Sequence, residues 1–98
     1  MKVQEMFDLA GKVAIVTGGG RGIGKFIATG LAEAGASLVI ASRKVENCEK
    51  TAKELSALGV KAIAVKLDVA DRDQCKNLID VTMKEFGKVD ILVNNAGL

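Results

Sequence analysis

The chain has 98 residues, 49% of them apolar, and its 14 basic and 12 acidic residues leave a net charge of +2. This length predicts one small domain, and three phenylalanines without tyrosine or tryptophan do not make the basic, aromatic surface of a nucleic-acid-binding protein. The apolar runs are far shorter than the roughly 20 residues that span a membrane, and residues 1–5 lack the apolar segment of a secretory signal.

Strand-like apolar runs alternate along the chain with helical patterns. The predicted strands cover residues 13–17, 37–42, 61–67 and 89–94. The first helix is predicted to begin near Gly22, and the next two cover residues 45–58 and 71–86. A glycine follows each helix, where it most easily adopts the left-handed conformation that ends one: Gly35, Gly59 and Gly87. This alternation predicts an α/β fold of parallel strands joined by right-handed crossovers, without a domain boundary.

Each predicted helix has one apolar face, which we expect to pack on the sheet. In the first helix this face carries Ile23, Phe26, Ile27, Gly30, Leu31 and Ala34. In the second it carries Cys48, Thr51, Ala52, Leu55 and Leu58, and in the third Cys75, Leu78, Ile79, Thr82, Met83 and Phe86. Asp71 with Gln74 three positions later predicts a capping box at the start of the third helix.

The loop after the first strand is rich in glycine and predicts a phosphate site. Gly18 can turn sharply off the strand, Gly22 lets the backbone approach a pyrophosphate, and Gly24 lets the helix lie close on the sheet. The helix start adds unpaired N–H groups and partial positive charge. The candidate residues are Thr17, Gly18, Gly20, Arg21, Gly22, Ile23 and Gly24. The alternative is a turn that uses glycine for steric reasons alone.

The loop after the second strand is basic, with Ser42, Arg43 and Lys44 and no acidic residue between Glu33 and Glu46. An NAD-binding site of the Rossmann type places an acidic side chain on the ribose 2′-hydroxyl about 20 residues after the glycine loop. Guanidinium and ammonium groups instead suit a 2′-phosphate. We therefore predict NADP(H) as the cofactor, with NAD(H) as the alternative, unless the two basic side chains are merely solvated.

Three motifs, in order, resemble those of the short-chain dehydrogenase/reductase family. They are Thr-Gly-x-x-x-Gly-x-Gly at residues 17–24, an Asp closing the third strand at Asp68, and Asn-Asn-Ala-Gly at residues 94–97. The resemblance implies a Rossmann-type parallel sheet with helices on both faces, here its first four strands and three helices. It also implies an oxidoreductase that transfers a hydride between the nicotinamide of NADP(H) and a ketone or secondary alcohol. Within this family, the sequence most resembles those of 3-oxoacyl-thioester reductases and gluconate-5-dehydrogenase-like members.

The resemblance assigns further cofactor-binding residues after the third and fourth strands. It implies that the Asp68 carboxylate accepts the adenine amine and that Val69, next to Leu67 and Asp68, offers its backbone N–H. The alternative is that Asp68 only caps a strand end. The residues after the fourth strand that it places along the cofactor are Asn95, Ala96 and Gly97, while Asn94 steadies the sheet.

The family's catalytic serine and Tyr-x-x-x-Lys pair have no counterpart here, because the chain has no tyrosine and its serines lie in the first half. We assign no catalytic residue and expect residues 1–98 to be the N-terminal cofactor-binding part of a dehydrogenase domain that continues beyond residue 98. The expected parent takes a small carbonyl or alcohol substrate and forms a homodimer or homotetramer, as the resemblance implies. The alternatives are a non-catalytic dinucleotide-binding module or redox sensor, and a partner-binding role for an apolar sheet edge.

Metal chemistry is not expected of this sequence. The chain has no histidine, and its two cysteines, Cys48 and Cys75, are isolated from one another. Isolated cysteines in a protein without a secretory signal are most simply reduced thiols, so we expect a cytoplasmic protein.

Overall fold

The computed structural model describes residues 8–95, in which four strands and three helices alternate. The strands are β1 (Val13–Thr17), β2 (Ser37–Ser42), β3 (Ala62–Lys66) and β4 (Ile91–Asn94). The helices are α1 (Gly22–Glu33), α2 (Val45–Ser56) and α3 (Arg72–Phe86). The strands pair in parallel in the order β3-β2-β1-β4. The predicted α/β fold is therefore confirmed, with β3 and β4 each shorter than predicted and α2 ending two residues earlier.

The two central strands, β1 and β2, carry apolar side chains on both faces of the sheet. On one face, residues of these strands pack with α1 and α2: Ala14, Val16, Leu38 and Ile40. On the opposite face, the alternate residues pack with Leu78 of α3: Ile15, Val39 and Ala41. Because successive side chains of a strand point to opposite faces, a strand covered by helices on both sides must be apolar throughout. The helices accordingly lie on both faces of the sheet.

The predicted apolar face of α1 is largely wrong, although half-buried Leu31 packs against the core. The helix buries its small residues, Gly24, Ala28 and Ala32, whereas Ile23 and Phe26 are 71% and 80% exposed. The remaining members of the predicted face are exposed or half-buried: Gly30, Ile27, Leu31 and Ala34. The helix begins with its backbone against the carbonyl group of Gly18, and this close approach leaves room on the sheet side only for small side chains.

The predicted faces of α2 and α3 are largely correct. The residues that depart from the prediction are about half exposed: Leu58, which lies beyond the end of α2, and Ile79 and Met83 of α3. The capping box is only half correct. The Asp71 carboxylate accepts the N–H groups of Asp73 and Gln74, at 2.9 and 3.2 Å, but the Gln74 amide oxygen accepts the N–H of Asp68 instead, at 2.8 Å. The Asp71 N–H is already donated to the Asp68 carbonyl, at 2.9 Å. It therefore does not need the Gln74 side chain as an acceptor, which a complete capping box would supply.

A carboxylate before β4 fastens that strand to the start of β1. The Asp90 Oδ2 atom accepts the N–H of Val13 at 2.8 Å and pairs with the Lys88 ammonium at 3.1 Å. The backbone bond from Val13, with the Lys88 bond and charge, lowers the pKa of Asp90 below its ordinary value. Both contacts favour the ionised carboxylate in the folded state.

We expect Asp90 to make the stability of the chain dependent on acid. A carboxyl whose pKa is lowered by folding contributes its stability above the pKa of the unfolded chain and loses it as the pH falls through the lowered folded value. Denaturant unfolding from neutral pH to about pH 2 should show this loss, and Asp90→Asn should flatten part of the pH dependence. Asp80→Asn, at an exposed position of α3, is the control, and an equal flattening in both variants would contradict the assignment.

Candidate functional site

A cleft of about 860 Å³ lies beyond the carboxyl ends of all four strands. It is lined by the loops that follow the strands, by the last residue of β2 and by the first turns of α1 and α2: Gly18, Gly20, Arg21, Gly22, Ser42, Arg43, Lys44, Asn47, Leu67, Asp68, Val69 and Asn95. Chain order reverses between β1 and β4, because β2 lies on one side of β1 and β4 on the other. Open α/β sheets bind ligands at this kind of reversal.

The glycine loop presents bare backbone to the cleft. Gly18 and Gly22 have φ angles of +69° and +63°, in the left-handed region that glycine adopts without strain. A Cβ atom at Gly22 would meet nothing within 4 Å, so this part of the loop faces open space. The turn off β1 expected at Gly18 and the open backbone expected at Gly22 are both present.

Gly24 has a different reason to be glycine. A Cβ atom there would overlap the carbonyl oxygen of Gly18 and lie 2.7 Å from its carbonyl carbon and 2.9 Å from the Nδ2 atom of Asn95. The start of α1 therefore rests directly on the loop and on the residue after β4. Gly24 shapes the cleft by this packing and does not line it.

The two helices that begin at the cleft have no side-chain cap. Arg21 at the N-cap of α1 and Lys44 at the N-cap of α2 make no capping hydrogen bond, and the first turn of α1 has no acidic residue. In α3, by contrast, the Asp71 side chain caps the helix. The N–H groups at the start of an uncapped helix are free to bind an anion, and the helix dipole favours negative charge there. The donor set at the cleft therefore fits a pyrophosphate.

Cationic side chains dominate the cleft where it meets β2. Arg21, Arg43 and Lys44 line it, with Asp68 the one acidic lining residue among those described. The three cations are exposed, which leaves their charged groups available to a ligand. No acidic side chain occupies the end of β2, so the chemistry of this corner fits a phosphate monoester better than a neutral hydroxyl pair.

The basic loop is supported from beneath by Cys48 of α2. The Ser42 hydroxyl lies 3.0 Å from the Cys48 sulfur and donates to the Lys44 carbonyl at 3.3 Å. Burial raises the pKa of the Cys48 thiol above its ordinary value. Cys48 and the half-buried Cys75 are both free thiols. Cys48 therefore serves as a small buried contact of this loop.

The loop after β3 is held by hydrogen bonds around Asp68. Its carboxylate accepts the Ala70 N–H at 3.0 Å, and its own N–H is donated to the Gln74 side chain at 2.8 Å. Asp68 is half-buried and lines the cleft beside Leu67 and Val69. The strand-end role that the sequence left open is thus present, and the carboxyl group also lies where a ligand can reach it.

Thr17 joins the ends of β1 and β4. Its hydroxyl lies 3.1 Å from Asn94 Oδ1 and 3.3 Å from the Val93 carbonyl, and it accepts the N–H of Asn95 at 3.0 Å. Asn95 lines the cleft and Thr17 does not. Ile23 is also absent from the lining. The candidates Ala96 and Gly97 lie outside the described residues.

Sequence reasoning missed Asn47. It lies in the first turn of α2, half-buried, and lines the cleft between the glycine loop and the basic loop. Its position three residues after Lys44 was the signal that could have found it, because the first turn of a helix that begins at a ligand-binding loop faces the same ligand.

Two other features are absent from residues 8–95. No cluster of three or more histidine, cysteine or acidic side chains there could hold a metal ion. Within the same residues, every helix is too short or too polar to cross a membrane.

Known proteins resemble this chain closely in sequence and in fold. A family model described as short chain dehydrogenase matches residues 12–98. Versicolorin reductase 1 of Dothistroma septosporum is 47% identical over 93 residues, covering 94% of this chain and 35% of that protein. NADP-dependent mannitol dehydrogenase of Alternaria alternata is 46% identical over 100 residues, covering 98% of this chain and 38% of that protein.

Solved structures give the same result. A short-chain type dehydrogenase/reductase from Mycobacterium marinum superimposes with a TM-score of 0.92 at 41% identity, over 100% of this chain and 40% of that one. The NADP active-site complex of Pseudomonas aeruginosa RhlG superimposes with a TM-score of 0.85 at 44% identity, over 94% of this chain and 37% of that one. The chain thus spans well under half the length of each of these four proteins.

Proposed function

Since the chain belongs to the short-chain dehydrogenase family, we propose that it is the cofactor-binding part of an NADP(H)-dependent oxidoreductase. The proposed reaction transfers a hydride between the nicotinamide and a ketone or secondary alcohol. The observation that carries the cofactor assignment is the cationic corner of the cleft, formed by Arg21, Arg43 and Lys44 without an acidic residue at the end of β2. An acidic side chain there would repel a 2′-phosphate, whereas a guanidinium can pair with it through two hydrogen bonds.

The proposed roles of the residues combine their places in the cleft with what the family resemblance implies. The backbone of Gly18–Gly22 and the first turn of α1 would hold the pyrophosphate, and Arg43 with Lys44 would hold the 2′-phosphate. The adenine would lie against Asp68 and Val69. The ribose on the nicotinamide side would lie by Asn95, with Ala96 and Gly97 proposed for the same place from sequence alone. The nicotinamide supplies or accepts the hydride, and this part of the chain supplies binding and orientation.

Two of the similar proteins support this proposal, because NADP is part of the name of one and of the solved complex of the other. One is named as an NADP-dependent mannitol dehydrogenase, and another was solved in a complex with NADP. We propose in addition a small carbonyl or alcohol substrate, a cytoplasmic location and a homodimer or homotetramer. Free Cys48 and Cys75 are consistent with a reducing compartment.

Binding and turnover test the proposal separately. Calorimetric titration of the full chain should give a Kd for NADPH about 10- to 100-fold below that for NADH, since charged hydrogen bonds contribute about 1.5–3 kcal/mol. NADPH oxidation by the longer protein of which this chain is proposed to be a part, measured against a panel of ketones, should then identify a substrate. Equal affinity for the two cofactors would contradict the NADP(H) assignment. Tight binding without turnover of any carbonyl would favour the non-catalytic module.

A further inference from the structure

A buried threonine of α2 is bonded to the glycine loop. The Thr51 side chain is 1% exposed, and its hydroxyl donates to the carbonyl of Gly20 at 2.8 Å, across 31 positions of sequence. Gly20 lines the cleft, whereas Thr51 lies beneath it. The bond therefore holds a cleft-lining peptide group from the protein side.

The same loop is packed tightly on the start of α2. A Cβ atom at Gly20 would lie 3.0 Å from the Cβ of Asn47 and 3.3 Å from the N atom of Cys48. Glycine is thus the residue that lets the loop sit on this helix. One turn after Thr51, Glu54 forms an ion pair with Lys25 of α1 at 2.7 Å, so α2 is joined both to the loop and to the helix that follows it.

The start of α2 also contacts the basic loop, which carries Arg43 and Lys44. The Lys44 carbonyl accepts the Asn47 N–H at 3.1 Å and the Ser42 hydroxyl at 3.3 Å. The loop that carries Arg43 and Lys44 is therefore fixed to the first turn of α2. A single helix therefore contacts both the glycine loop and the basic loop, and both loops line the cleft.

We propose that Thr51 is a positioning residue that sets the spacing between the glycine loop and the Arg43–Lys44 loop. This inference rests on the proposed function, in which one dinucleotide places its pyrophosphate at the first loop and its 2′-phosphate at the second. A ligand that must reach both loops at once binds best when their separation is already fixed, because the loops then lose less freedom on binding. Thr51 acts through Gly20 and does not touch the ligand.

Three variants distinguish a positioning role of Thr51 from a purely structural one. Thr51→Val keeps the shape of the side chain and removes the hydroxyl, which leaves the Gly20 carbonyl without this partner. Thr82→Val is the matched control, because Thr82 is 0% exposed and its hydroxyl donates to Leu78 within α3 at 2.7 Å, away from the lining of the cleft. Thr51→Ser restores a hydroxyl at the same place.

Calorimetric titration of the full chain with two ligands distinguishes the positioning role of Thr51 from a purely structural one. For Thr51→Val we expect the Kd of NADPH to rise about 10-fold, as for loss of a buried hydrogen bond. The Kd of adenosine 2′-monophosphate, which has no pyrophosphate, should stay within about twofold. Thr51→Ser should recover most of the NADPH affinity. Thr82→Val should lower the melting temperature and leave both Kd values unchanged.

The inference is overturned by an unchanged NADPH affinity in Thr51→Val, by equal losses for the two probes, or by an equal loss in Thr82→Val. Should Thr51→Val not fold, Gly20→Ala decides in its place. Its methyl group would press on Asn47 and displace the loop, so this variant should bind NADPH more weakly and bind the monophosphate as before; equal losses would overturn the inference. Failure of the unaltered chain to bind either dinucleotide would instead refute the proposed function itself.

Discussion

Gly24→Ala is expected to lower the free energy of unfolding by about 3 kcal/mol and to weaken dinucleotide binding at the same time. The added methyl group would overlap the Gly18 carbonyl and press on Asn95. Its neighbours at Gly18 are backbone atoms at the end of a central strand, so they cannot rotate aside as a flexible side chain would. Relief requires α1 to move away from the sheet, which displaces both the glycine loop and the first turn of the helix.

Gly30→Ala is the matched control in the same helix. A Cβ atom at Gly30 meets nothing within 4 Å, and its φ angle is not positive. Alanine should therefore stabilise the helix by about 0.5–1 kcal/mol. Denaturant unfolding and NADPH titration of both variants measure the contrast. Destabilisation of similar size at the two positions would show that helix propensity, and not the contact with Gly18, governs the result.

Arg43→Asp is expected to weaken NADPH binding about 100-fold or more while changing NADH affinity by less than about threefold. The substitution removes a hydrogen-bonding cation at the end of β2 and places a carboxylate where the 2′-phosphate is proposed to lie. NADH has a hydroxyl there, which can donate a hydrogen bond to the aspartate carboxylate. The loss should shrink as salt rises, since Arg43 is exposed and exposed charges are screened over about 10 Å at 0.1 M salt.

Arg72→Asp makes the same change of charge at the start of α3, outside the lining of the cleft. It should leave both affinities nearly unchanged, which separates a local contact from the overall field of the protein. An equal loss for NADPH and NADH in Arg43→Asp would remove the basis for choosing NADP(H).

The central features of the fold were predictable because they depend on residue type alone. The β1 and β2 strands, at Val13–Thr17 and Ser37–Ser42, match the prediction at both ends, since apolar runs bounded by glycine or polar loops leave little freedom of interpretation. The glycine loop was equally readable, because sharp turns and close backbone approach need glycine whatever surrounds them.

The face of α1 was not predictable from hydrophobicity. The pattern selected the side with Ile23 and Phe26, yet the sheet receives the side with Ala28 and Ala32. What decides the matter is the distance between helix and sheet, which Gly24 sets through its contact with Gly18. Size matters more than hydrophobicity at so close an interface, and a count of apolar residues does not measure size.

The supporting residues of the cleft were missed for a related reason. Thr51 reaches Gly20 of the glycine loop only because α2 folds back along the sheet, and no local pattern links positions 31 apart. Gln74 likewise looked like a capping partner of Asp71 but bonds to Asp68. Side-chain partners across a tertiary contact depend on geometry that periodicity does not contain.

The strand order also fixes when the cleft can be completed during synthesis. The contact that joins β1 to the residues before β4, between Val13 and Asp90, closes 77 positions of chain, whereas β1 meets β2 over less than a third of that length. The longer closure costs about 1 kcal/mol more in chain entropy. At about 5–20 residues per second, β1, β2 and β3 leave the ribosome seconds before β4. The side of the cleft that is proposed to bind phosphate is thus assembled first, and Asn95 joins it last.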